Sequence, residues 1–184
     1  MRVFKSTHPM MHRTLTLTAC LLASFAAEAV STTAQITAQS ALLGVQLAAK
    51  QREAKGGLPA AQNACIQALQ PSEFYETTER VVTMSLSASE VAAADRFFSS
   101  VPGHKYARHG LLGIYTALGE KAPEPLPAIS AAEVKAIEAF AASPAGQALF
   151  TRQVLQSPAA REAYDGRARE LVTRCQAVKP DRAD

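Results

Sequence analysis

The sequence predicts an all-α protein: a compact bundle of about seven helices containing two related helical hairpins. Three observations carry that prediction. Alanine supplies much of the apolar count, which is 48% of the chain, with only 6% aromatic residues and no tryptophan; alanine with Leu, Glu, Gln, Lys and Arg is a helix-forming composition. No run of alternating β-branched residues is long enough to read as a strand. Finally, a capped amphipathic segment occurs twice. Ser87–Gly103 and Ser130–Gly146 match at 8 of 17 positions, among them Ser87/Ser130, Glu90/Glu133, Phe97/Phe140, Ser100/Ser143 and Gly103/Gly146. The repeats extend over about 86–118 and 129–156, with a proline-rich connector at 119–128.

The first 29 residues are expected to be a signal peptide rather than part of the fold. Arg2, Lys5 and Arg13 precede an apolar run from Leu15 to Ala27, which closes on Ala27-Glu28-Ala29; a basic stretch, a short apolar stretch and an A-x-A site are the three parts of an export signal. Met10 and Met11 offer alternative starts. The apolar run is too short to be a transmembrane anchor. Leu17-Thr18-Ala19-Cys20 also fits a loose lipoprotein box, but the apolar run continues past Cys20, so a periplasmic protein cleaved at Ala29 is the stronger reading. Without the leader, 16 basic and 15 acidic residues remain. A net charge of +1 removes the case for nucleic acid. Cys65 and Cys175 also remain, and in an oxidising compartment two cysteines are expected to pair. The alternative is two separately buried thiols.

Residues 30–184 read as one domain. Ser31 to about Lys55 forms a first helix with Leu42, Val45 and Ala49 on one face; its Ser/Thr/Gln-rich start is expected to fray, and Gly56-Gly57 stops it. Pro59 opens a short helix to about Leu69, whose apolar face is Ala61, Cys65 and Leu69. Pro71-Ser72 restarts the chain into a helix to Leu86, with Phe74, Thr78, Val81, Val82 and Ser85 facing one way. Ser87-x-x-Glu90 is a capping box, opening a helix that presents Val91, Ala94, Phe97 and Phe98. The next helix, from about His104 to Leu118, turns Leu111, Ile114, Tyr115 and Leu118 inward and ends at Gly119. Pro123, Pro125 and Pro127 make the connector extended. Ser130-x-x-Glu133 is a second capping box, with Val134, Ile137, Phe140 and Ala141 as the buried stripe. Ser143-Pro144 and Ser157-Pro158 are cap-plus-proline starts. Between them, Leu149, Phe150, Val154 and Leu155 predict a helix of about three turns. The last helix, Pro158 to about Val178, shows Tyr164, Ala168, Leu171, Cys175 and Val178 as a core-facing stripe.

Around residues 129–170, Glu133-Val134, Phe140, Ser143-Pro144-Ala145-Gly146 and Gln147 resemble a family of exported proteobacterial helical proteins catalogued as a domain of unknown function, which carries a Phe-x-x-Ser-Pro-x-Gly element. Ala141 stands where that family has a second aromatic; Phe97-Phe98 restores it in the upstream copy, where the proline is shifted by one. The resemblance implies an all-α exported protein and assigns no catalytic residues.

No nucleophile elbow, Walker loop, Cys-x-x-Cys or His-Glu-x-x-His is present, so no catalytic, cofactor-binding or metal-ligating residue is assigned. His104 and His109 diverge by about 140° on a helix and do not form a zinc pair. His104, Lys105, Arg108 and His109 nonetheless make a polar patch at a helix start, with a candidate anion or partner surface against the more general reading of a solvated face. Capping accounts for Glu90 and Glu133. Gly103 and Gly146 imply that something approaches closely. Helix packing at the corner is favoured, with a ligand or partner contact involving Ser143 and Pro144 as the alternative. The expected function is a non-catalytic periplasmic interaction or accessory protein whose partner is another envelope protein. The alternative is a small-molecule or lipid carrier with a pocket between the repeats, which an apolar cavity of a few hundred Å³ would favour; an envelope enzyme comes third.

Overall fold

The computed structural model describes residues 30–177. Residues 1–29, where the sequence leads us to expect a signal peptide, Cys20 among them, and Val178 lie outside them. Among the described residues all regular structure is helical: α1 (Thr32–Ala54), α2 (Ala60–Gln67), a 3-10 turn (Pro71–Phe74), α3 (Tyr75–Ser85), α4 (Ala88–Phe98), α5 (Val101–Ala117), α6 (Ala131–Ala142), the single turn α7 (Pro144–Gly146) running into a π-turn (Gln147–Thr151), a 3-10 turn (Val154–Gln156) and α8 (Pro158–Gln176). None of these helices is long and apolar enough to cross a membrane.

Helix α1 is the axis of the bundle and touches α2, α3, α4, α5 and α8. Its start, expected to fray, is instead buried at Thr33, Ala34 and Ala38. The polar residues there have specific partners. Ser31 donates its N–H and hydroxyl to Glu79 (both 2.9 Å), and Thr33 donates its N–H (2.8 Å) and hydroxyl (2.7 Å) to Asp95. Two carboxylates from α3 and α4 therefore hold the first turn, where free N–H groups favour negative charge.

One end of the bundle is closed by Leu42, Ala49, Ile66, Phe74 and Leu171 around Cys175. The Cys65 and Cys175 sulfurs are 2.03 Å apart, a disulfide joining α2 to α8 across 110 residues. On α2 the buried face is Gln62 and Ile66 with Leu69 beyond, one residue round from the expected Ala61–Cys65–Leu69 stripe; Ala61 is exposed. Buried Gln62 is accommodated because its amide donates to the Val172 carbonyl of α8 (3.4 Å). Glu73 adds a second fastening, pairing with Arg174 (2.6 Å) and Arg167 (3.1 Å).

The other end is an aromatic cluster. Phe97 and Phe140, at matching positions of the two capped segments, stack face to face at 3.9 Å, and Phe98 and Phe150 meet Phe140 edge-on at 6.1 and 5.4 Å. Both capping boxes form: Glu90 accepts from Ser87 N–H (2.8 Å) and Glu133 from Ser130 N–H (2.7 Å), while each serine oxygen accepts in return. The inward residue of α5 is Leu112 rather than the expected set, and α5 begins three residues early because Ser100 caps it. Helix α6 packs mainly by its C-terminal end. Phe140 is buried, but Val134 is 41% exposed, so the predicted stripe holds only at Ile137 and Phe140, which join the aromatic cluster.

Residues 147–156 depart most from expectation. In place of a three-turn helix the chain makes a π-turn, with Arg152 N–H donating to Gln147 C=O (2.9 Å), then places Gln153 in the left-handed region (φ 50°, ψ 44°) before a 3-10 turn. Every residue there tolerates a helix; tertiary packing overrides that propensity. Fully buried Ala148 sits with Ala34, Val82 and Leu86, while Leu149 and Phe150 pack on the aromatic cluster. After the break at Gln153, Val154 and Leu155 pack against the same cluster as Ala148.

Candidate functional site

The sequence-predicted surface residues divide into two structural groups. At the corners, Ser100 donates its hydroxyl to Phe97 C=O (2.6 Å) and accepts from Gly103 N–H (3.2 Å); Ser143 does the same with Phe140 C=O (2.6 Å) and Gly146 N–H (3.1 Å). A Cβ on Gly103 would fall on the Phe97 carbonyl, 2.8 Å from Phe98 Cα, and one on Gly146 would fall on the Phe140 carbonyl, 2.7 Å from Ala141 Cα. Glycine is needed because each helix start lies against the backbone that has just ended. The one-residue shift between Pro102 and Pro144 is harmless, since neither N1 nor N2 has an intrahelical acceptor for its N–H. Pro144 itself is exposed.

The basic group holds the proline-rich connector. Lys105 donates to Ala128 C=O (2.9 Å) and pairs with Glu133 (2.7 Å); Arg108 pairs with Glu124 (2.6 Å); His109 Nε2 lies 2.7 Å from Pro127 C=O. Lys105, followed by the Ser130 cap, holds the Glu133 carboxyl down at about 2, and Arg108 lowers that of Glu124. His104 is exposed beside Arg108.

A different place has the shape of a binding site. A cleft of about 520 Å³ opens between α1, the α4–α5 pair, residues 149–156 and α8. From α1 come Thr33, Ile36, Thr37, Ser40 and Ala41, spaced i, i+3, i+4, i+7, i+8 on one face. These residues are short, which leaves room; Thr37 and Ser40 donate to the Thr33 and Ile36 carbonyls one turn back (2.8 and 3.0 Å) and keep lone pairs toward their surroundings. The opposite wall is Phe98, Tyr106, Ala107 and Gly110, and a Cβ built on Gly110 meets no atom within 4 Å. The irregular segment contributes Leu149, Phe150, Gln153, Leu155 and Gln156, and α8 adds Arg161 and Tyr164.

The lining is therefore an apolar body with a few polar groups. Burial raises the Tyr106 hydroxyl and pushes that of Tyr164 up to about 12. Both phenols stay protonated at physiological pH and can donate. Tyr164 Oη is buried without a hydrogen-bond partner among the described residues, a rare condition in a folded protein. A π-turn and a left-handed non-glycine residue in one wall are features that concentrate at functional sites. Among the described residues no carboxylate, imidazole or thiol lines the cleft, and no group of three or more His, Cys, Asp or Glu is placed to hold a metal ion. The chemistry it offers is recognition: apolar contact, hydrogen bonds and one positive charge.

None of Gly103, His104, Lys105, Arg108, His109, Ser143, Pro144 and Gly146 lines this cleft. The sequence places Tyr164 in the core stripe of the last helix; in it Thr37, Ser40, Gly110, Gln153, Gln156 and Arg161 carry no signal of a site. The faint sequence traces are the small, hydroxyl-bearing face of α1 and the unexplained Gly110 within α5. Searches with this chain against protein-family models, curated proteins and solved structures found no match.

Proposed function

We propose that the protein is an exported, non-catalytic carrier that binds an apolar small molecule in the cleft between α1, α5, the 149–156 segment and α8. The observation that carries this reading is the cleft itself: about 520 Å³, with aromatic and aliphatic walls and a few convergent polar groups, within the usual range for small-molecule sites. Export rests on the leader sequence and agrees with a paired Cys65 and Cys175, since such bridges persist in oxidising compartments. Membership of the exported helical family with the Phe-x-x-Ser-Pro-x-Gly element belongs to the same proposal.

The test is binding of a neutral solvatochromic dye such as Nile red, measured with plugged variants. Gly110→Phe and Ser40→Phe fill the cleft from opposite walls. Both should remain helical by circular dichroism and lose the fluorescence gain that the native protein shows. A dye signal unchanged in both folded plugs, or no signal with the native protein, refutes a carrier role for this cleft.

A second reading, docking to another envelope protein, is favoured by one observation. Val101 (65% exposed), Leu126 (57%) and Val134 (41%) are exposed large hydrophobics on the segments joined by the Lys105–Glu133 pair. Scattered surface hydrophobics are common, so the cleft is the stronger basis.

A further inference from the structure

We propose that the ligand of the cleft is an amphipathic anion, an apolar body with a carboxylate or similar acidic head, and that Arg161 receives the head; this rests on the carrier reading. Among the residues lining the cleft Arg161 alone carries a formal charge. It is exposed and makes no ion pair among the described residues, a condition it shares with Arg52, Arg80, Arg96 and Arg169; what sets it apart is its place on the rim of this cleft. Glu162 and Asp165 lie in the adjoining surface depression with Arg161, but neither is within ion-pair distance. A lone guanidinium at the edge of an apolar cleft selects for negative charge and repels cations.

The neighbouring polar groups fit the same head. Tyr164 follows Arg161 by three residues, hence on the same face of α8, and brings a phenol with no partner among the described residues. An unpaired buried hydroxyl is unfavourable until an acceptor reaches it; the Tyr164 oxygen is closed to solvent, so a carboxylate held by Arg161 reaches it only when the lining gives way. The Gln153 and Gln156 side chains also line the cleft and appear in no hydrogen bond among the described residues, which leaves their amides free to donate to a ligand. Beyond them Ile36, Phe98, Leu149 and Phe150 supply the surface for the body. An aliphatic chain of about twelve carbons and a bicyclic aromatic are both of suitable size.

The experiment titrates Nile red-loaded protein with dodecanoate, 2-naphthoate, dodecanol and dodecyltrimethylammonium, each below its aggregation threshold, using native protein, Arg161→Gln, Tyr164→Phe and, as a control outside the cleft, Arg152→Gln. Expected is a carboxylate preference of about tenfold over the alcohol, with the ammonium weakest. That preference should collapse in Arg161→Gln, shrink several-fold in Tyr164→Phe and persist in Arg152→Gln. The two carboxylates report whether the body is aliphatic or aromatic. Equal displacement by carboxylate and alcohol, a preference unaffected by Arg161→Gln, or dye that none of the four compounds displaces overturns the anion proposal while leaving the carrier reading intact. Failure of the native protein to bind the dye or any of the four removes the carrier reading as well.

Discussion

Replacing Gly146 by alanine puts a methyl group onto the Phe140 carbonyl and within 2.7 Å of Ala141 Cα. Every atom it meets is backbone, so no side chain can rotate away. Either α6 or the start of α7 must move. Overpacking of this kind costs about 1–3 kcal/mol. Moving the end of α6 also displaces Phe140 from its 3.9 Å stack on Phe97, a further ~0.5–1.5 kcal/mol. Against this stands the helix preference for alanine, at most about 1 kcal/mol. The net loss is about 2 kcal/mol, which for a chain of this size lowers Tm by roughly 4–8 °C. Gly110→Ala is the matched control: its Cβ has open space, so only the propensity gain remains and stability should rise by up to about 1 kcal/mol. Urea and thermal unfolding followed by circular dichroism give both values on one scale. If the two substitutions shift the midpoint in the same direction, close backbone approach is not what places glycine at 146.

Two further expectations concern the ends of the fold. Cys65→Ala with Cys175→Ala opens a 110-residue loop; the chain-entropy model puts the loss at about 4–5 kcal/mol as an upper figure. Peptide mapping without reductant should recover the two cysteines linked, and free thiols at both would remove the pairing. The Glu133 carboxyl is held at about 2, against an ordinary 4.5, by Lys105 and the Ser130 cap. A depressed folded value stabilises above 4.5 and is lost as pH falls toward 2. Glu133→Gln should therefore flatten the fall of the urea midpoint between those pH values; parallel curves would mean that the carboxylate contributes nothing there.

The legible parts of this fold are those whose chemistry is local. Ser87 with Glu90, and Ser130 with Glu133, satisfy helix-end N–H groups within four residues, so spacing alone predicts them. Gly103 and Gly146 were legible as tight corners for the same reason. What failed was decided at longer range. The α2 face turned by one residue because Cys65 and Gln62 both answer to α8. Val134 stayed exposed because α5 meets the start of α6 at Glu133, through Lys105, and not at Val134. Residues 147–156 contain no helix breaker, yet the chain turns at Gln153, and Val154 and Leu155 come to pack against Ala34, Val82 and Leu86. The cleft was invisible for a related reason: an empty space is defined by what Thr37, Gly110 and Arg161 do not fill, and no two of those are neighbours in sequence.

The Cys65–Cys175 bridge has one more consequence, for survival among proteases. It encloses α3 to α7 and the whole proline-rich connector in a single covalent ring. One cut anywhere in residues 66–174, the exposed 119–128 stretch included, leaves the piece that carries α1 joined through Cys65 to the piece that carries Cys175. The molecule can be nicked and remain one molecule, losing a fragment only when a second cut or a reductant follows.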